Sequence, residues 1–420
     1  MFSSKKRNKL SAILPSSISI DIYFVAIFMA LLGISTNMLY SYLAISLKCD
    51  LNLSLTNMAN IDGTVEFLSY ILRVFSGAIS DFFYSRKILL LIGAAIITLS
   101  KPIFSIANSV IMILSAEILE RLGNGILASP RDALIADLSL QNNLGASFGF
   151  CKSMKTLGGL IGAGIAVFIM YFSDNNYKLL FCLSALPALM ALLCLIKVPD
   201  KSSTSLNEKK INDTNKKEYD TNFKNKKFEN PFQKKYLRSL DNNFYKLMLF
   251  AFVCELGHFA ESLLTIKSMN LLSPNLCGSV SLFSMFGQII FSYFVCIKSD
   301  NYNKLSIIRI NLILLLFSYF ALSNSVSKWI FLFGIFIFFG QYAVLQALFL
   351  TVINKNVSSY LRATAIGVFY MVIGISYMMT AKLCGMLCDN YSYNLALLCT
   401  AIFISLAFAM SFFVKTEYYR

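Results

Sequence analysis

The sequence predicts an all-α polytopic membrane protein of twelve transmembrane helices, arranged as two six-helix bundles, and three observations lead there. Hydrophobic residues make up 57% of the 420 residues and charged ones only 14%, for a mean hydropathy of +0.65. The apolar residues come in blocks, and helices of about 20 residues span a hydrocarbon layer roughly 30 Å thick. The blocks fall six before and six after one polar, lysine-rich stretch. A membrane barrel would instead show short segments that alternate residue by residue.

Taken in order, the spans are expected at 20–46, 62–83, 88–107, 109–128, 146–172 and 177–197, then 244–266, 276–297, 305–323, 328–353, 362–387 and 393–414. The organisation follows: a tail at 1–18, a first bundle at 19–198, a linker at 199–243, a second bundle at 244–414 and a tail at 415–420. The similar length of the two bundles suggests duplication. Lys5, Lys6 and Arg7 precede the first apolar run like the start of a signal peptide. That run is long and lacks a small-residue cleavage site, so it reads as an uncleaved span. The stretch from Lys201 to Asn243 is rich in Asn and Lys and too polar to build a core. It reads as a flexible cytoplasmic spacer that meets anionic lipid.

The net charge of +15 is placed unevenly. Thirteen of the 37 Lys and Arg lie between Lys197 and Lys246, and four more lie between Lys5 and Lys9. Loops on the other side hold few, such as Lys48, Lys178 and Lys328. Basic residues stay on the cytoplasmic side, so both termini are expected there. No motif of basic and aromatic residues points to nucleic acid. The ten cysteines are scattered without a CxxC, and there is one histidine, so neither a disulfide framework nor a metal site is indicated. No phosphate-binding loop signals ATP drive. No reactive constellation signals an enzyme, and no cofactor is expected. Abundant Asn, Lys and Ile suit an AT-rich bacterial genome, so the expected location is a bacterial cytoplasmic (inner) membrane, with a monomer in the lipid bilayer.

The turn between spans two and three reads GAISDFFYSRK, from Gly77 to Lys87. Downstream, Glu117–Asp137 reads EILERLGNGILASPRDALIAD. A 6+6 pattern with Gly77, Asp81, Arg86 and Lys87 at these spacings resembles the major facilitator superfamily, whose signature in this loop is Gly-x-x-x-Asp-Arg-x-Gly-Arg-Arg/Lys. Phe82, Tyr84 and Ser85 depart from it. Arg121, Gly123, Gly125 and the run Pro130–Asp137, with Arg131, Asp132 and Asp137, are similar to a bacterial branch that carries this run in a cytoplasmic loop and has no agreed substrate. Arg362–Ile375 (RATAIGVFYMVIGI) extends the likeness into the second half. A worn copy of the first turn follows span eight, with Cys296, Asp300 and Lys304. The resemblance implies a secondary transporter of a small solute that works by rocking alternating access. It also implies that spans one, four, seven and ten line a central cavity, and that Arg121 followed by Gly125 goes with proton coupling. A sensor that binds a solute without moving it is the alternative.

Charge inside a bilayer is costly and usually faces a cavity or a partner, which nominates the site residues. Span four carries Glu117, Glu120, Arg121 and Asn124 on one helical face, with Glu117 and Arg121 an acid–base pair at i,i+4. Arg121 is read either as a coupling residue or as a cytoplasmic-end residue that meets water. Span seven presents Glu255, His258, Glu261 and Ser262 on one face, suited to passing a proton or holding a cation. Glu66 and Arg73 in span two are read as cavity residues or as a structural pair of opposite sign. Asn37 in span one and Gln341 in span ten are read as ligand contacts or as helix–helix contacts.

Overall fold

The computed structural model describes residues 20–83, 86–139, 144–198, 241–298, 303–357 and 362–412. The tails, most of the linker, and Asp300 lie outside the described residues. So do the side chains of Asp81 and Arg362 and the surroundings of Gly77. The chain forms helices α1 (Ile20–Cys49), α2 (Leu55–Phe83), α3 (Arg86–Ile106), α4 (Val110–Leu138), α5 (Leu144–Phe172), α6 (Tyr177–Leu183) and α7 (Ala185–Ile196). After the linker come α8 (Asn242–Leu256), α9 (Glu261–Ser268), α10 (Ser279–Lys298), α11 (Lys304–Ser323), α12 (Lys328–Asn356), α13 (Arg362–Asn390) and α14 (Tyr393–Met410).

Ten stretches among the described residues are long and apolar enough to cross a membrane. The two further crossings are α2 and α4, which carry Asp62, Glu66 and Arg73 and Glu117, Glu120 and Arg121 respectively. Their charge lowers their hydropathy, and the same charge builds the site.

Three boundaries differ from the sequence expectation. The helix α2 starts at Leu55 rather than 62, because Leu55, Met58 and Ala59 are buried against other helices. Pro130–Asp137, expected in a loop, forms the last two turns of α4. Pro130 removes one backbone donor, which membrane helices tolerate. Leu134, Ile135 and Leu138 then form a buried stripe that packs into the core of the first half, and this burial keeps the segment helical. Span seven is not one helix but two, interrupted at Gly257–Ala260.

That break frees backbone carbonyls inside the bilayer, where an unsatisfied group is expensive. Side chains from three other helices accept the task of filling them. Thr380 of α13 donates to the Leu256 carbonyl at 3.0 Å, Tyr342 of α12 donates to the Cys254 carbonyl at 3.4 Å, and Tyr319 of α11 donates to the Gly257 carbonyl. The interruption is therefore built into the second half. Span six is also broken, at Ser184, where Ser35 of α1 donates to the Ser184 carbonyl at 2.7 Å. Pro187, three residues on, lacks the amide that would bond the 183 carbonyl.

Within the first half α1 packs along α5 and α3 along α4; in the second, α10 packs along α12 and α11 along α12. A Cβ at Gly158 or Gly162 would collide with the backbone of Ala30 or Ile34, so these two glycines let α5 lie directly on α1. Across the halves the main partners are α2 with α13 and α5 with α10. These are spans two and eleven, five and eight, and a shift of six spans exchanges the two pairs.

The halves meet closely at the end where α1 finishes at Cys49. Tyr42 donates to the Asn275 carbonyl. Asp389, near the end of α13, accepts from the Leu55 and Thr56 amides at 3.1 and 2.7 Å and from the Thr56 hydroxyl at 2.7 Å. An acid from the second half thus caps the first turn of a helix in the first half, where the helix dipole favours negative charge.

Candidate functional site

A cavity of about 240 Å³ lies between the halves, walled by α1, α2 and α4 on one side and by α8, α9, α12 and α13 on the other. Its charged lining is Asp62, Glu66, Arg121, Glu255, His258 and Glu261. Spans one, four, seven and ten contribute, as do two and eleven.

On the first-half wall, Arg121 pairs with Glu66 at 2.9 Å, and each side chain is about a quarter exposed (24% and 25%). The guanidinium lies 4.7 Å from the centre of the Tyr40 ring. This corrects two sequence expectations. Arg121 pairs across to α2 rather than with Glu117 on its own helix, and Glu66 pairs with Arg121 rather than Arg73. Side chains at i,i+4 can meet, but packing α2 against α4 brings Glu66 within reach and leaves Glu117 turned elsewhere. Glu117 is 1% exposed, and neither of its carboxylate oxygens has a hydrogen-bond partner among the described residues. Arg73 lies 5.7 and 5.0 Å from the ring centres of Tyr70 and Tyr370, two stacked rings from opposite halves. It is a cation–π contact between halves, outside the cavity lining.

On the second-half wall, His258 Nδ1 lies 2.8 Å from Glu255 Oε1. The imidazole stacks on Tyr342, with centres 4.2 Å apart and planes at 15°, and meets the edge of Tyr377. Glu261 accepts from Ser281 at 2.8 Å and Ser284 at 3.2 Å, both on α10. The sequence places Glu255, His258, Glu261 and Ser262 on the face of one continuous helix. The structure brings all four to the cavity by a different route: α8 ends, the chain turns at Gly257, and α9 begins with Glu261.

Asn37 and Gln341 do not line the cavity. Asn37 donates to the Gly33 carbonyl at 3.1 Å on its own helix and abuts Gly159 of α5. Gln341 is buried and its carbonyl accepts from Asn311 of α11 at 3.2 Å. Asn37 thus packs between helices, whereas Gln341 meets α11 through its backbone carbonyl and its side-chain Nε2 has no hydrogen-bond partner among the described residues.

The residues of the loop signature act within the first half. Arg86 pairs with Asp137 and donates to the Ala133 carbonyl at 2.5 Å, which ties the start of α3 to the last turn of α4. Lys87 donates to the Ile196 carbonyl at the end of α7, 2.7 Å away. Arg131 pairs with its neighbour Asp132 at 2.8 Å.

Three participants escaped the sequence reading. Asp62 stands as the first residue of the span expected at 62–83, where an acid reads as a solvated helix end; one turn before Glu66, it is marked by the i,i+4 spacing of acids once α2 is extended to Leu55. Lys101 forms a fully buried pair with Glu120 at 2.7 Å. The charged Lys101 inside an apolar span was its available signal. Asp389, at the end of span eleven, gave no local sign of the helix it caps.

Such an arrangement, a charged cavity between two six-span halves closed at one end, is one that a carrier needs. The profile of the Major Facilitator Superfamily matches residues 24–266 and 243–419. The chain belongs to that superfamily. Its members are transporters rather than enzymes, and this chain is accordingly a multi-pass membrane transporter. Among relatives, an uncharacterized MFS-type transporter of Methanocaldococcus jannaschii is 26% identical over 333 residues, 78% of each chain. The quinolone resistance protein NorA of Staphylococcus aureus is 23% identical over 189 residues, 44% of this chain and 47% of that one. Among solved structures, a D-xylose–proton symporter superposes with a TM-score of 0.72 at 13% identity, over 94% of this chain and 98% of that one. That last likeness shows the major facilitator fold.

Proposed function

We propose that this chain is a proton-coupled secondary transporter that moves a small solute by rocking its two halves about the cavity. The cavity carries the reading: it lies at the boundary between the halves, and Asp62, Glu66, Glu255, Glu261 and His258 all face it. Groups able to take and release protons there, beside an arginine already paired to one of them, couple solute occupancy to protonation. The solved structure with the same fold is that of a D-xylose–proton symporter, which supports the reading.

The orientation proposed has both termini and the 199–243 linker in the cytoplasm of a bacterium, with the Cys49 end facing outward. The 17 basic residues in the two stretches Lys5–Lys9 and Lys197–Lys246, 4 plus 13, support it. In that orientation Tyr42–Asn275 and the Asp389 cap close the outer gate. Gly77, Asp81, Asp300 and Arg362 are proposed to act at the opposite gate.

The test begins with solutes that raise the melting temperature of the purified protein, since a ligand that binds the folded state stabilises it. Those solutes are then followed into proteoliposomes under an imposed pH gradient. Accumulation that follows the gradient is expected, and Glu255→Gln, Glu261→Gln or Glu117→Gln should weaken the coupling. Flux that ignores the gradient and survives all three substitutions would sink proton coupling. Binding with no accumulation would sink transport.

A further inference from the structure

We infer that the cavity selects a small organic cation, an amine carried on an apolar or aromatic body, over anions and neutral solutes. The inference rests on the cavity being the solute site proposed above. Four carboxylates line it, those of Asp62, Glu66, Glu255 and Glu261, against one arginine, Arg121. Arg121 is engaged with Glu66, and Glu255 is held by His258. Glu261 has two serine hydroxyls but no cation within ion-pair distance, and no described cation forms an ion pair with Asp62. Two acids therefore face the cavity without an ion-pair partner, in a lining whose one arginine is already paired to a third.

The cations that would reverse this balance are placed elsewhere. Arg73 lies beside the stacked Tyr70 and Tyr370 rings, Lys101 is sealed against Glu120, and neither Lys155 nor Lys382 reaches the lining. A second observation points the same way. The Tyr40 hydroxyl, on a residue of the cavity wall, has no hydrogen-bond partner among the described residues. Behind that wall, Glu117 is 99% buried with both oxygens equally unpartnered. Polar atoms kept dry and unpaired inside a membrane protein are expensive; the Glu117 carboxylate is an acceptor that a donor would relieve, while Arg121 Nε is an unpartnered donor in the same place.

Wall chemistry and size define the body of the solute. Tyr40, Tyr70, Phe339 and Tyr377 supply aromatic surface that can cover an apolar frame. At about 240 Å³ the cavity falls below the roughly 300–1,000 Å³ typical of sites for drug-sized ligands. A small amine fits; a large drug does not.

The matched probes are phenethylamine, 3-phenylpropanol and 3-phenylpropionate, which share a ring and chain and differ in charge at pH 7. Their binding to the full chain in lipid nanodiscs is measured by calorimetry. Phenethylamine should bind at least about tenfold tighter than either of the others, and Asp62→Asn and Glu261→Gln should each remove most of that preference. The two variants sit on different helices, so misfolding of one leaves the other informative. Absence of phenethylamine binding, equal or tighter binding of the alcohol or the acid, or a preference that persists in both variants overturns the inference. Phenethylamine that binds but is never accumulated by proteoliposomes would count against transport and leave the selectivity standing. Accumulation of an anionic or neutral solute, abolished by Arg121→Met, would do the reverse.

Discussion

Glu120 and Arg121 are neighbours in the chain, and they enter ion pairs of opposite kinds. Glu120 turns toward α3 and meets Lys101, with both side chains wholly buried. Arg121 turns into the cavity and meets Glu66, with both side chains about a quarter exposed (24% and 25%). One residue step rotates a side chain by about 100° around a helix of 3.6 residues per turn, enough to separate a sealed interface from an aqueous cavity. The first pair is sealed among side chains, and the Thr36 hydroxyl, 3.5 Å from Glu120, is a further contact. The second can be solvated, rearranged and reached by a solute. Burial, rather than the chemistry of the pair, separates the structural role from the functional one.

The largest effect should come from breaking the sealed pair. Lys101→Met alone leaves Glu120 buried without its cation, and the loss of one partner of a buried pair costs about 3–5 kcal/mol. Thermal unfolding followed with a thiol-reactive dye reads this directly, because Cys254, Cys277 and Cys384 are buried until the fold opens. The double variant Lys101→Met/Glu120→Met should regain most of the lost midpoint, since an apolar pair of similar size can replace a buried ion pair. A double variant no more stable than the single one would show that the pair has a role beyond packing.

Arg121→Met should behave in the opposite way. Its melting midpoint should stay close to that of the parent, because Glu66 keeps access to water in the cavity. Accumulation driven by a pH gradient should fall by at least about tenfold, because the variant leaves Glu66 without the cation that holds it. A midpoint drop as large as that of Lys101→Met would erase the distinction between the two pairs.

A smaller effect is expected at the closed end. Asp389→Ala removes a cap from α2, worth about 1 kcal/mol for a typical N-cap. That should shift the balance between closed and open states about fivefold. The reporter is Cys277, which is buried beside Gly278 and its close neighbour Tyr42. Maleimide labelling of Cys277 should speed up by a similar factor, whereas an unchanged rate would mean that Asp389 caps a helix without holding the gate.

How much of this was legible beforehand differs from residue to residue. Glu255, His258 and Glu261 could be nominated because titratable groups in an apolar run stand out against the cost of burying them. Arg121 stood out for the same reason. Its partner did not, because Glu66 lies 55 positions away, 121 minus 66, and nothing local marks which of several acids it reaches. Asp62 was lost to a boundary drawn where the polar residues began. Asn37 and Gln341 were equally good candidates by type, and only the packing of α1 on α5 and of α11 on α12 keeps them out of the cavity lining.

By itself the sequence determined the number and order of the crossings and the list of charges they must accommodate. A bilayer demands apolar, internally hydrogen-bonded helices, and that demand is written locally along the chain. The tertiary structure alone decided which charges pair, which face the cavity, where span seven breaks and which acid caps α2. Each of those outcomes depends on the approach of helices distant in sequence. The broken span shows it best: Gly257 leaves room for Ile404, and Tyr319, Tyr342 and Thr380, from three other helices, supply the hydrogen bonds that sustain the interruption.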